Sequence, residues 1–130
     1  MIDKVAYLYL KDKKILSTRS KGKDTYYLPG GKRENDETDI ETLVREVKEE
    51  LSVDIIPSSA ALYGIFEAQA HGKAGGIKVS MTCYTAEHTG ELQAASEIAE
   101  IVWLTTADIA AVSPVDRLIF ADLKENGLLD

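Results

Sequence analysis

Residues 31–53, GKRENDETDIETLVREVKEELSV, hold the clearest helical pattern in the chain. Ile40, Leu43, Val44, Val47 and Leu51 recur at three- and four-residue spacing, which predicts a helix over 37–51. Asp36 or Glu37, with Asp39, puts negative charge at its start, which suits the helix dipole. Glu46, Glu49 and Glu50 stand three and four apart and are expected to share one face, turned away from the apolar stripe. Like charges on adjacent turns repel, and Arg45 relieves one pair by reaching Glu49 at i+4. The rest calls for an external cation. Oxygen donors with room for water select Mg²⁺ or Mn²⁺. Such ions bind phosphate oxygens and activate water for attack on phosphorus. An acidic helix face alone is more often a solvated surface, so the decision rests on the wider spacing.

Upstream, Pro29-Gly30-Gly31 demands a sharp turn with exposed backbone. Val5–Leu10 and Lys14–Arg19 are expected strands joined through Lys11-Asp12-Lys13, with a loop at 20–25 and a short strand at 26–28. Downstream, strands are expected at 53–56, 62–70, 77–85 and 98–104, and a loose hairpin at 71–76 joins the middle pair. Thr106 or Asp108 is placed to cap a short turn through Ala111. Ser113 as N-cap and Pro114 as first residue open a last helix with an apolar stripe of Leu118, Ile119 and Leu123, ended by Gly127. The expected class is α/β (α+β): a layered sandwich with a mixed β-sheet flanked by helices, one domain over 1–130.

Composition narrows the function. The formal charge is -7, from 15 Lys+Arg against 22 Asp+Glu. That field disfavours duplex nucleic acid, RNA 5′-end trimming and anionic membranes, but not a small anionic ligand whose charge metal ions neutralise. Cys83 is the one cysteine, so no intramolecular disulfide forms. No signal peptide or apolar span is seen, and a cytoplasmic protein is expected.

The stretch 31–53 resembles the Nudix box. Gly31, Glu37, Arg45, Glu46, Val47, Glu49, Glu50 and Val53 all fall in its pattern, and only its last glycine is replaced, by Ser52. Tyr27-Leu28-Pro29-Gly30-Gly31 and the late strand with Trp103 are similar to the family's flanks. The resemblance implies a MutT-like, metal-dependent pyrophosphohydrolase that cleaves a nucleoside diphosphate linked to another moiety. A nucleoside triphosphate, oxidised forms such as 8-oxo-dGTP included, is the expected small-molecule substrate. ADP-ribose, nucleotide sugars, dinucleoside polyphosphates and a non-catalytic nucleotide-sensing role are the alternatives.

Carried over by position, Glu46, Glu49, Glu50 and the Gly30 carbonyl would hold Mg²⁺, or Mn²⁺ in its place. Arg45 would orient the carboxylates, with Glu37 as a structural partner. Glu50 or Glu100 would be the general base, ahead of Glu97. Arg19 and Lys32 are candidates for substrate phosphates, though each also reads as solvated surface. Asp116 and Arg117 are candidates for a nucleoside pocket. Tyr27, Tyr63, Phe66, Trp103 and Cys83 read as core, and His71 and His88 receive no role. The chain is expected to act as a monomer or homodimer. Ser52 would cost about 1 kcal/mol at the helix exit unless the cap changes, with catalysis retained.

Overall fold

The computed structural model describes residues 1–130. β1 (Ile2–Leu8) and β2 (Leu10–Lys11) lead through a two-residue turn into β3 (Lys14–Ser20). Asp12 and Lys13 both have positive φ, the hairpin geometry that matches strand twist. β4 (Tyr26–Tyr27) and β5 (Gly30–Lys32) precede helix α1 (Asp39–Leu51). β6 (Asp54–Ile55), β7 (Ala61–Gln69), β8 (Lys78–Thr85), β9 (His88–Thr89) and β10 (Ile98–Leu104) follow, and helix α2 (Pro114–Glu125) closes the order. Short 3₁₀ turns lie at Pro57–Ser59 and Thr106–Ala111.

One sheet runs β5-β1-β8-β7, with β1 parallel to β8 and the other pairs antiparallel. A second runs β10-β3-β2 with β4 on β3. The mixed sheet and its helices match the expected class. β1 shows why it sits centrally. Val5 and Tyr7 pack in one core with Leu43, Val47 and Leu51 of α1. Ala6 and Leu8 pack in the other with Ile119, Phe120 and Leu123 of α2. Alternate side chains face opposite layers, so Val5–Leu8 is buried throughout. Cys83 is fully buried in the second core, as a small apolar residue.

Several boundaries differ from expectation for local reasons. α1 starts at Asp39 rather than Glu37, because Thr38 is the N-cap. Its hydroxyl accepts from the Glu41 amide while the Glu41 carboxylate accepts from the Thr38 amide, which completes a capping box. At the last helix Pro114 takes the first position, but Ser113 makes no capping bond and its hydroxyl is buried without a partner. Leu118 is 47% exposed, and the buried stripe is Val115, Ile119, Phe120 and Leu123. Thr105, not Thr106 or Asp108, caps the 3₁₀ turn.

Ser52 ends α1 in the left-handed region, φ 63, with its amide donating to the Lys48 carbonyl. The glycine-type cap is therefore kept and the serine adopts it. Ser52→Gly should raise stability by up to about 1 kcal/mol, seen as a higher denaturation midpoint, with activity unchanged.

Candidate active site

Gly30 and Gly31 follow Pro29 on the strand beside β1, and each is a glycine for a steric reason. Gly30 has φ +140, and a Cβ there would lie 2.0 Å from the Val5 carbonyl oxygen. A Cβ on Gly31 would lie 2.5 Å from the Glu46 carboxyl carbon. The missing side chains let the turn press against β1 on one side and α1 on the other. The Tyr7 backbone amide donates to the Pro29 carbonyl, and Ala6 stands opposite Gly30 in the ladder. Gly30 therefore occupies a position not bonded to β1. Its amide donates instead to Glu50 Oε1 at 2.9 Å.

The three helix carboxylates do not share a face away from the core, and this corrects the expectation. At roughly 100° per residue they fan out from the apolar edge, Glu50 roughly 20° from Leu43, Glu46 roughly 60° and Glu49 roughly 120°. Glu50 is 9% exposed, whereas the Glu49 side chain is 54% exposed. Burial pushes the Glu50 carboxyl up to about 8, the Gly30 amide opposes this, and the Glu46 charge adds to it. Glu46 is also raised, by burial first.

Arg45 organises the outer part of this fan. Its Nε and Nη2 donate to both oxygens of Glu37 at 2.7 and 2.9 Å, and Nη1 reaches Glu46 at 2.8 Å and Glu49 at 3.4 Å. Nη2 also donates to the Lys32 carbonyl at 3.0 Å, which ties the helix to the glycine strand. Glu37 accepts further from the Glu34 amide and the Thr42 hydroxyl. Hydrogen bonding by Arg45 and that amide holds its carboxyl down to about 2. Glu37 is thus a fixed anion serving Arg45.

A cavity of about 910 Å³ opens over Gly30, Gly31, Glu46 and Glu50. Its lining also includes Lys32, and Lys4, Lys23 and Lys73, which the sequence did not single out. Lys4 stands directly across the β1–β5 ladder from Lys32. Burial, and then the Lys32 charge, lower its pKa. Arg33 is turned to Asp3 and Asp39. Glu97 lines the cavity, but Glu100 and Arg19 do not. Those two face each other across β3 and β10 and pair at 3.1 Å, with the Tyr26 hydroxyl also donating to Glu100. The Tyr26 hydrogen bond, then that of Arg19, lowers the Glu100 carboxyl.

A smaller cavity of about 120 Å³ adjoins the first and is lined by Tyr27, Val79, Met81, Ser113 and Val115, among others. Asp116, expected at a nucleoside pocket, lines neither cavity and is fully buried. One oxygen accepts from the Leu28 amide at 3.0 Å, and the other has no partner. Burial pushes its carboxyl up to about 7. Arg117 is directed elsewhere, to the Val112 and Ala110 carbonyls.

A model of the NUDIX domain matches residues 3–123. The chain belongs to the Nudix family. It is therefore a hydrolase of phosphorus-containing anhydrides, as the box implied. Among solved structures, the E. coli ORF135 protein is 27% identical, with TM-score 0.70 over 100% of this chain and 95% of that one. The MutT protein from Methanosarcina mazei Go1 is 22% identical, with TM-score 0.76 over 97% and 94%. The E. coli dihydroneopterin triphosphate pyrophosphohydrolase is 21% identical, with TM-score 0.72 over 95% and 95%. The last two likenesses concern the fold. No curated protein sequence matches. No helix is long and apolar enough to cross a membrane.

Proposed function

We propose that this Nudix chain, acting as one domain, is a divalent-metal-dependent pyrophosphohydrolase of nucleoside triphosphates, oxidised bases such as 8-oxo-dGTP included. The observation that carries the reading is Glu50. It is a nearly buried carboxylate with one amide partner and no cation within ion-pair distance, at the floor of the main cavity. A group in that position is costly unless it is protonated or meets a positive charge.

The donors fit a hard cation by their chemistry. Glu46, Glu49, Glu50 and the Gly30 carbonyl offer oxygen only, which suits Mg²⁺ or Mn²⁺. As the side chains stand, no three His, Cys, Asp or Glu groups converge on one point, so Glu46 and Glu49 must turn from Arg45 to complete the set. A divalent ion held there supplies positive charge to the diphosphate oxygens and to the attacking water. Lys4 and Lys32 take phosphate oxygens that face β1 and β5. Glu50 accepts the proton of the water at Oε2, the oxygen not bound by Gly30. The water oxygen bonds to phosphorus as the bridging P–O bond breaks. The leaving phosphate keeps the bonding electron pair, and the proton passes on to solvent. Glu100 is less suited to this step, since Arg19 and Tyr26 stabilise its charged form. The small cavity, with Tyr27 and Ser113 in its lining, takes the base.

A panel of nucleoside triphosphates, ADP-ribose, nucleotide sugars and dinucleoside polyphosphates, incubated with Mg²⁺ or Mn²⁺, tests this by product identity. The expected result is a nucleoside monophosphate and pyrophosphate from one or more triphosphates. Release from none of the compounds would refute it.

A further inference from the structure

The glycine strand β5 and helix α1 are tied at three points. The Gly30 amide donates to Glu50, Arg45 donates to the Lys32 carbonyl, and Arg33, one residue beyond β5, donates to Asp39, the first residue of α1. The order is reversed along the two elements, so strand and helix run in opposite directions. The ties spread over about 16 Å of helix. The one at Arg33 reaches furthest into the sheet. Its Nε donates to Asp39 Oδ1 at 2.7 Å, with Nη2 on the same oxygen, and Nη1 reaches Asp3 of β1 at 2.9 Å. The Tyr84 hydroxyl of β8 donates to the other Asp39 oxygen at 2.8 Å. Through Asp39 and Arg33 the start of α1 is fixed to β1, β5 and β8 together.

This tie differs from the other two in what it touches. Glu50 and Arg45 belong to the group that rearranges for an ion, since Glu46 and Glu49 must turn from Arg45 to reach it. Asp3, Asp39 and Tyr84 carry none of the proposed ligands and line no part of the main cavity. Arg33 does line it, but all three of its nitrogens are turned to Asp39 and Asp3, so it is not a free cation for phosphate. The proposed ligand oxygens come from both elements, the Gly30 carbonyl from β5 and the carboxylates from α1. Affinity for an ion then depends on how firmly strand and helix are registered while the inner ties change partners. A looser pair has to be ordered at the moment of binding, which weakens it.

We propose that Arg33, acting through Asp39 with Tyr84 on its far oxygen, is a positioning residue for the divalent-ion site. It holds α1 in register with β5 while Glu46 and Glu49 change partners. This role rests on the metal-dependent reading above. Arg33 itself touches neither the ion nor the nucleotide. Its loss should therefore raise the metal requirement and leave nucleotide binding alone once metal saturates.

Mn²⁺ affinity, read by electron paramagnetic resonance with nucleotide present, would be compared in the parent, Arg33→Gln, Arg33→Lys and Tyr84→Phe. Arg33→Gln should bind Mn²⁺ about tenfold more weakly. Arg33→Lys keeps a charge that can pair with Asp39 and should recover most of that loss. Tyr84→Phe, which removes one hydroxyl from the other side of Asp39, should fall between Arg33→Gln and the parent. At saturating Mg²⁺ the KM for nucleotide should stay within about twofold of the parent in all three. Parent-like Mn²⁺ affinity in Arg33→Gln overturns the role, as does an unrescued loss in Arg33→Lys. A raised nucleotide KM at saturating metal also overturns it, and places Arg33 on the substrate instead. Should Arg33→Gln fail to fold, Tyr84→Phe decides alone, and parent-like Mn²⁺ affinity there overturns the role. Equal affinity in parent and variants removes the positioning role only, whereas no Mn²⁺ binding by the parent removes the metal-dependent reading and this role with it.

Discussion

Glu50→Gln should lower kcat by about 10²–10⁴-fold while leaving the fold intact. The amide keeps the shape of the carboxylate and can still accept the Gly30 N–H bond, but it offers neither negative charge nor basicity. Stability should change in a direction that separates this loss from damage. Burial raises the Glu50 carboxyl in the folded chain to about 8, well above its value in an unfolded one. Between the ordinary carboxylate range and about pH 8 the folded state binds more protons. The metal-free protein therefore loses stability as pH rises through that window, and the loss is complete above it. Glu50→Gln removes this contribution, so near pH 8.5 it should match or exceed the parent in denaturation midpoint. Asp116, raised to about 7 by the same cause, leaves the variant some slope of the same sign. A variant that unfolds more readily than the parent at that pH would show that Glu50 is a structural anion.

Gly30→Ala should be the most destabilising single methyl in the chain, costing about 3 kcal/mol or more. The added Cβ would sit 2.0 Å from the Val5 carbonyl oxygen and 2.9 Å from Ala6 Cα. Both are backbone atoms of the central strand β1 and cannot swing aside. The φ of +140 is itself closed to alanine. Gly31→Ala gives the internal comparison. The nearest atoms to its Cβ would be those of the Glu46 carboxyl, the end of a flexible side chain. That variant should fold and lose turnover. Thermal denaturation and kcat on both variants check the pair, and equal melting behaviour would contradict the steric reading.

The helix, the acidic trio and the box spacing were legible because they are local. A 3.6-residue period and fixed offsets survive without any knowledge of neighbours. The first turn was misplaced because Asp36, Glu37 and Asp39 all look like first-turn anions, although Thr38 and Glu41 already spell a capping box. Glu37 lies before the helix because its carboxylate is committed to Arg45, Thr42 and the Glu34 amide. The depth of Glu50 was missed because spacing groups the three glutamates, whereas the packing of Leu43 and Val47 decides which of them is buried. Lys4, Lys23 and Lys73 left no local signal. Strand register places Lys4 beside Lys32, and two loops 46 residues apart at their point of contact present the other pair. Arg19 and Glu100 were each reasonable alone, but adjacent strands let them neutralise one another.

Manganese titration followed by electron paramagnetic resonance, with nucleotide present and Mg²⁺ as competitor, bears most directly on the acidic flank of α1. The parent should bind Mn²⁺ in a Mg²⁺-displaceable way, and Glu46→Gln and Glu50→Gln should each weaken that binding at least about tenfold. Equal Mn²⁺ binding by the parent and both variants, or none by the parent, would contradict the assignment of those carboxylates to a divalent ion.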